Sequence, residues 1–194
     1  MSIRQVTVFC ASSAKVADVY FEAARSLGKL LAARGITLIY GGGAVGLMGA
    51  LADTMLREGG KVIGIIPRFM VEVEWGHPHL TQRIEVETMH QRKELCLRDT
   101  DAVIALPGGC GTVEELMETI TFKRLGLFTR PIVIINTMGF FDPLIDQLER
   151  MIRERFMRPE HRRMWNIITH PGMLMDALDN AHPWDSSARN FASV

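Results

Sequence analysis

Apolar and polar positions along this chain follow two alternating rhythms. Short, unbroken apolar runs recur between glycine, proline or small polar residues. After each comes a stretch whose apolar residues return every three or four positions. The runs predict strands over 5–10, 36–40, 61–66, 84–86, 102–106, 132–136 and 166–169. The periodic stretches predict helices over 16–34, 47–58, 89–100, 112–125, 141–155 and 173–180. Gly35 closes the first helix and Gly59-Gly60 the second, as glycines past a helix end do. Residues 68–81 read as irregular, a basic segment follows 155, and the tail from His182 reads as loosely ordered. Alternating strands and helices predict a doubly wound parallel sheet with right-handed crossovers and helices on both faces, an α/β fold in one domain over 1–194. Strands that read as near-continuous apolar runs suit a sheet covered on both faces. Ligands of such sheets bind beyond the strand carboxyl ends, where strand order reverses. Ser12-Ser13, the Gly41 turn, Glu87-Thr88-Met89 and the Gly108 turn all fall at that edge.

The stretch Leu106-Pro107-Gly108-Gly109-Cys110-Gly111-Thr112-Val113-Glu114-Glu115 stands out. It reads as strand, glycine turn, helix. Glycines let a ligand approach the backbone, and a helix start offers unpaired N–H groups with partial positive charge. That combination predicts an anion site, with phosphate the expected anion. A simpler reading makes the glycines a tight connection and Thr112 with Glu115 a capping box. On a helical wheel Val113, Leu116, Met117 and Ile120 form one apolar stripe, and Glu115 falls opposite with Glu118 and Phe122. That second, partly apolar face suggests a neighbouring subunit. Met89-His90-Gln91-Arg92-Lys93 opens the helix predicted over 89–100, whose apolar face centres on Met89 and Cys96, and Arg92 and Lys93 flank that face. A half-buried arginine needs an anionic partner, so Arg92 is expected to hold a phosphate or ribose beside Glu115. A routine surface ion pair is the alternative.

Other motifs carry less. Gly41, Gly43 and Gly46 spell G-x-G-x-x-G, but the next strand ends Ile66-Pro67-Arg68 without the acidic residue a dinucleotide fingerprint needs. Leu47-Met48 stands where a P-loop has its lysine. His77 and His79 lack the further ligands of a metal site, so packing or substrate contact is expected of them and no metal. Cys110 has no histidine placed as its base. Lys plus Arg and Asp plus Glu both number 22, which argues against nucleic-acid or membrane binding through bulk charge. The arginines at 153, 155, 158, 162 and 163 then read as a solvated or subunit-facing surface. Three cysteines without metal spacing, no leader and no long apolar segment predict a cytoplasmic protein.

The two motifs together, Met89-His90-Gln91-Arg92-Lys93 and then Pro107 to Glu115, resemble the LOG family of cytokinin riboside 5′-monophosphate phosphoribohydrolases, formerly labelled lysine decarboxylases. Phe9-Cys10-Ala11-Ser12-Ser13, Tyr40-Gly41-Gly42-Gly43, Gly46-Leu47-Met48-Gly49 and Gly64-Ile65-Ile66-Pro67 extend the match over roughly 6–155. The resemblance implies a Rossmann-like fold, a homodimer with sites at its interface, and release of free base and ribose 5-phosphate from a purine nucleoside 5′-monophosphate, AMP or an N6-substituted cytokinin nucleotide. It implies Arg92 and Glu115 as the essential pair and no cofactor. Substrate contacts are expected from Ser13, Gly42, Gly43, Met89, Lys93, Gly108, Gly109, Cys110, Gly111, Thr112 and Glu114. Ala11 stands where many members have Gly, and Cys110 where Tyr or Phe is common. Glu74-Trp75-Gly76-His77 resembles the E-x-x-H of bacterial members, making Glu74 and His77 candidate base contacts. Two other functions stay open: a non-catalytic nucleotide carrier of the same fold, and a pyridoxal-phosphate decarboxylase, for which no lysine motif is visible.

Overall fold

The computed structural model describes residues 3–72 and 75–192. Seven parallel strands form one sheet in the order β4-β3-β2-β1-β5-β6-β7. They are β1 (Gln5–Phe9), β2 (Thr37–Tyr40), β3 (Val62–Pro67), β4 (Gln82–Val86), β5 (Ala102–Ala105), β6 (Ile132–Ile135) and β7 (Asn166–Ile168). The main helices are α1 (Asp18–Ala33), α2 (Gly46–Arg57), the short α3 (Arg68–Glu72), α4 (Met89–Arg98), α5 (Cys110–Arg124), α6 (Asp142–Arg153) and α7 (Leu174–Asp179). This is the doubly wound architecture that the alternating pattern predicts. No helix among the described residues is long and apolar enough to cross a membrane.

The period-two geometry of the strands divides the core between two faces. On β1, Val6 and Val8 face the layer of α1, α2 and α7, packing with Leu27, Leu51 and Leu174. Phe9 faces the other layer, with Leu116, Ile120 and Leu148 of α5 and α6. Thr7, on that same side, is buried without cost. Its N–H donates to Thr100 Oγ1 and its hydroxyl donates to the Cys96 carbonyl.

Strand order runs outward from β1 through β2 and β3 to β4, then restarts on the far side of β1 with β5. The reversal therefore lies between β1 and β5, registered Val8↔Ile104 and Phe9↔Ala105. Two further bonds knit the loops beyond these strands. Leu106 N–H donates to the Phe9 carbonyl at 2.9 Å, and Ala11 N–H to the Pro107 carbonyl at 3.2 Å. Ala11 also accepts from Met48 N–H at 3.1 Å, which ties the β1 loop to α2. Gly46 has φ +68, and a side chain there would drive into the Ser12 and Ser13 backbone. Only glycine lets the β1 and β2 loops approach so closely.

Two expectations change, those for residues 68–81 and for the tail. Residues 68–81 include α3 and an antiparallel bridge between Gly43 and Gly76. The basic segment contains a 3₁₀ turn, Pro159–Met164, where Arg162 pairs with Glu149. The tail makes specific contacts: Trp184 Nε1 donates to the Lys123 carbonyl at 2.7 Å, and the Arg124 guanidinium to the Ala192 carbonyl.

Candidate active site

A cavity of about 510 Å³ lies beyond the carboxyl ends of β3, β2, β1 and β5. Each strand end contributes part of its wall. Ile66 and Met70 come from β3 and α3, Gly41 and Gly43 to Val45 from the β2 turn, Cys10 to Ser12 from β1, and Gly109 to Thr112 from the start of α5.

Helix α5 begins at Cys110, with Gly109 as its N-cap and no side chain bonded to the cap. The capping box that the simpler reading makes of Thr112 and Glu115 is not formed, because Thr112 already lies in the first turn and its side chain packs on Gly108. The N–H groups of Cys110, Gly111 and Thr112 therefore have no intrahelical acceptors and belong to the cavity wall. A Cβ on Gly109 or Gly111 would meet nothing within 4 Å. Both glycines thus leave open space at the turn.

Glu115 is one turn further along α5. The helix buries Thr112, Glu115, Leu116, Thr119, Ile120 and Lys123. The inward stripe is thus rotated from the apolar stripe expected, and Glu115 lies on the buried side instead of opposite it. Its Oε1 accepts from Arg92 Nη1 at 2.9 Å, with the two side chains 5% and 7% exposed. Burial pushes the Glu115 carboxyl above the usual carboxylate range, against the pull of the Arg92 charge. Burial likewise raises the Cys10 thiol on the cavity floor.

Arg92 is held from three sides. Its Nε donates to the Ile65 carbonyl at 3.3 Å, its Nη1 lies 4.0 Å from Met89 Sδ, and its Nη2 occupies the space a side chain on Gly41 would fill. The start of α4 is fixed by a capping box. Gln91 N–H donates to Thr88 Oγ1 at 3.2 Å, while Gln91 Oε1 accepts from Thr88 N–H at 3.3 Å. The T-x-x-Q spacing of Thr88 to Gln91 was the signal for this cap. Gly41 and Ser12 line the wall, as the position of their turns at the ligand-binding edge predicts, and Cys10, Met48, Met70 and Trp75 belong to it without having been expected there.

The remaining candidates divide. Met89, Gly43 and Gly109 to Thr112 line the cavity with Arg92 and Glu115. Gly42, with φ +77, turns its back to the cavity and lies against Ile66 and Gly64. Ser13 and Gly108 face a neighbouring apolar hollow of about 300 Å³. Lys93 donates to Glu114 and Glu118 on the outer side of α5, so Lys93 and Glu114 brace α4 against α5 outside the cavity lining. His77 is 4% exposed and outside that lining too. Its Nε2–H donates to Asp53 Oδ1 at 3.0 Å, and its Nδ1 accepts from His79 N–H at 3.2 Å. Glu74 lies outside the described residues. No lysine is among the cavity residues described.

A family model described as possible lysine decarboxylase matches residues 48–178. A probable cytokinin riboside 5′-monophosphate phosphoribohydrolase of Oryza sativa subsp. japonica is 40% identical over 180 residues, covering 93% of this chain and 74% of that protein. A cytokinin riboside 5′-monophosphate phosphoribohydrolase of Arabidopsis thaliana is 39% identical over 198 residues, covering 97% and 93%. Among solved structures, a molybdenum cofactor binding protein from Rippkaea orientalis superposes with a TM-score of 0.70 at 19% identity, over 92% of this chain and 97% of that one. That likeness speaks for the fold alone.

Proposed function

Since this chain belongs to the LOG family, we propose that it hydrolyses the N-glycosidic bond of a purine nucleoside 5′-monophosphate, AMP or an N6-substituted cytokinin nucleotide. The products are free base and ribose 5-phosphate. The observation that carries this reading is the buried Arg92–Glu115 pair, opening on a cavity beside an uncapped helix start. A mononucleotide offers both features what they lack: a dianion for the amides and a sugar for the carboxylate.

The phosphate would bind at the N–H groups of Cys110, Gly111 and Thr112, where helix dipole and unpaired donors act together. This remote grip supplies binding energy that can be used at the scissile bond. As the C1′–N bond breaks, positive charge develops on the ribose. The Glu115 carboxylate beside the sugar stabilises that charge and takes a proton from the attacking water, and this proton then passes to the nitrogen of the departing base so that Glu115 returns to its ionised form. Its raised pKa makes it a better base than an ordinary surface carboxylate. Arg92, clamped by the Ile65 carbonyl and the Gly41 backbone, holds the carboxylate in direction.

Incubation with AMP and detection of free adenine tests the reading. Glu115→Gln and Arg92→Ala should each abolish release while the fold persists by circular dichroism. Wild-type release by both variants would sink the assignment. A carrier of the same fold would bind AMP and release nothing. The reading extends to a homodimer with its sites at the interface. Half-buried Phe122 near the end of α5, with exposed Leu125 and Leu127 just past it, supports it, and sedimentation equilibrium tests it. Three free cysteines fit a reducing cytoplasm.

A further inference from the structure

The cavity's polarity changes along the sheet edge. Its phosphate-facing amides stand at the end of β5, and β1, β2 and β3 follow in order. Three strand spacings, about 14 Å, separate the first from the last. Arg92 lies between, reaching Glu115 on one side and the Ile65 carbonyl on the other. At the β3 end the wall consists of Val45, Met48, Ile66, Met70 and Trp75, none with a charged or amide side chain. A mononucleotide laid along this edge puts its base there.

Trp75 is an unusual member of that wall. It is 57% exposed, yet its backbone is pinned. Its N–H donates to the Met70 carbonyl at 3.1 Å and its carbonyl accepts from Ala44 N–H at 3.1 Å. Gly76 bridges to Gly43, and His77 N–H donates to the Gly42 carbonyl at 2.8 Å. The His77 ring then bonds to Asp53 on α2. An aromatic ring left largely uncovered on backbone held at each of residues 75–77 is pre-organised for a ligand, because those three residues have little order left to lose on binding.

We propose that Trp75 is a specificity-determining residue of this site: its indole stacks on the nucleobase and closes the apolar end of the cavity. The proposal rests on the hydrolase reading for the identity of the sugar-phosphate end. It makes base selection a matter of planar faces and apolar substituents, not of hydrogen-bonded edges. His77 becomes a positioning residue, acting through the turn that carries Trp75.

Steady-state kinetics on AMP, with ribose 5-phosphate as competing product, test this in Trp75→Ala, Trp75→Leu and Trp75→Phe. Alanine and leucine should raise KM about tenfold with kcat within about twofold, while phenylalanine stays within about threefold of the parent. Inhibition by ribose 5-phosphate should be unchanged in all three, because that ligand lacks a base. An unchanged KM in Trp75→Ala overturns the proposal. So does an equal loss of ribose 5-phosphate affinity, which would make the loop merely structural, or a changed oligomeric state by light scattering. If the parent releases no adenine, the hydrolase reading fails separately and fluorescence still decides. Quenching of tryptophan emission by AMP, lost in Trp75→Phe and not produced by ribose 5-phosphate, supports stacking; equal quenching in Trp75→Phe refutes it.

Discussion

Replacing Gly111 by alanine should make the protein more stable and the enzyme worse. Gly111 is the second residue of α5, its φ is not in the left-handed region, and a Cβ there would meet nothing within 4 Å. Alanine in a helix is favoured over glycine by about 0.5–1 kcal/mol. For a chain of this length that corresponds to a rise in Tm of about 1–4 °C. Gly111 also lines the cavity beside the amides of residues 110–112 that the phosphate must reach, so the added methyl is expected to crowd that approach. Loss of one charge-assisted hydrogen bond costs about 1.5–3 kcal/mol, or about ten- to a hundredfold in KM. Thermal melts beside AMP kinetics check both halves. Slow turnover of adenosine, which has no 5′-phosphate, should be unaffected. A Gly111→Ala enzyme with the parent's KM for AMP would show that no phosphate binds at this turn.

Gly41→Ala should lower the melt and push the Arg92 guanidinium off Glu115, since the new carbon would strike Nη2 with Cζ at 3.2 Å and Met48 Cε at 3.3 Å behind it, and the buried pair would be broken. A displacement of about 1 Å costs about a hundredfold in kcat/KM, measurable by initial rates. The acid limb of kcat/KM should lie above the ordinary carboxylate range, because Glu115 must be ionised and burial raises its pKa. A raised carboxyl stabilises the fold below its unfolded value and loses that contribution as pH rises through the folded value, so the Tm of Glu115→Gln should climb relative to the parent over that window. Lys123 is 1% exposed, donates only to the Arg130 carbonyl and is held down at about 8 by burial. Against its ordinary 10.5 that is a penalty of about 3 kcal/mol below pH 8, relieved as pH rises toward 10.5. Lys123→Met should therefore melt higher at pH 7, with the gain shrinking in alkaline buffer.

The order of strands and helices was legible because fully covered strands leave unbroken apolar runs, and glycine turns mark their carboxyl ends. The start of α5 was not. Gly109 caps it with no side chain, while Thr112 and Glu115 spell a box that the fold does not use. The true box, Thr88 with Gln91, lies one helix earlier. Periodicity also misplaced Glu115. A helix that turns Thr112, Glu115, Thr119 and Lys123 inward with Leu116 and Ile120 has no clear apolar side to read. Site chemistry has overwritten the packing signal there. Loop partners were hidden for a different reason. That Ser12 and not Ser13 faces the cavity, that His77 turns to Asp53, and that Trp184 docks on α5 all depend on contacts distant in sequence.

The most direct measurement is a crystal structure of Glu115→Gln with AMP bound. The account predicts phosphate oxygens within about 3 Å of the N–H groups of residues 110–112 and the ribose C1′ beside the residue 115 carboxamide. A phosphate seated anywhere else, or a sugar turned away from residue 115, would contradict it.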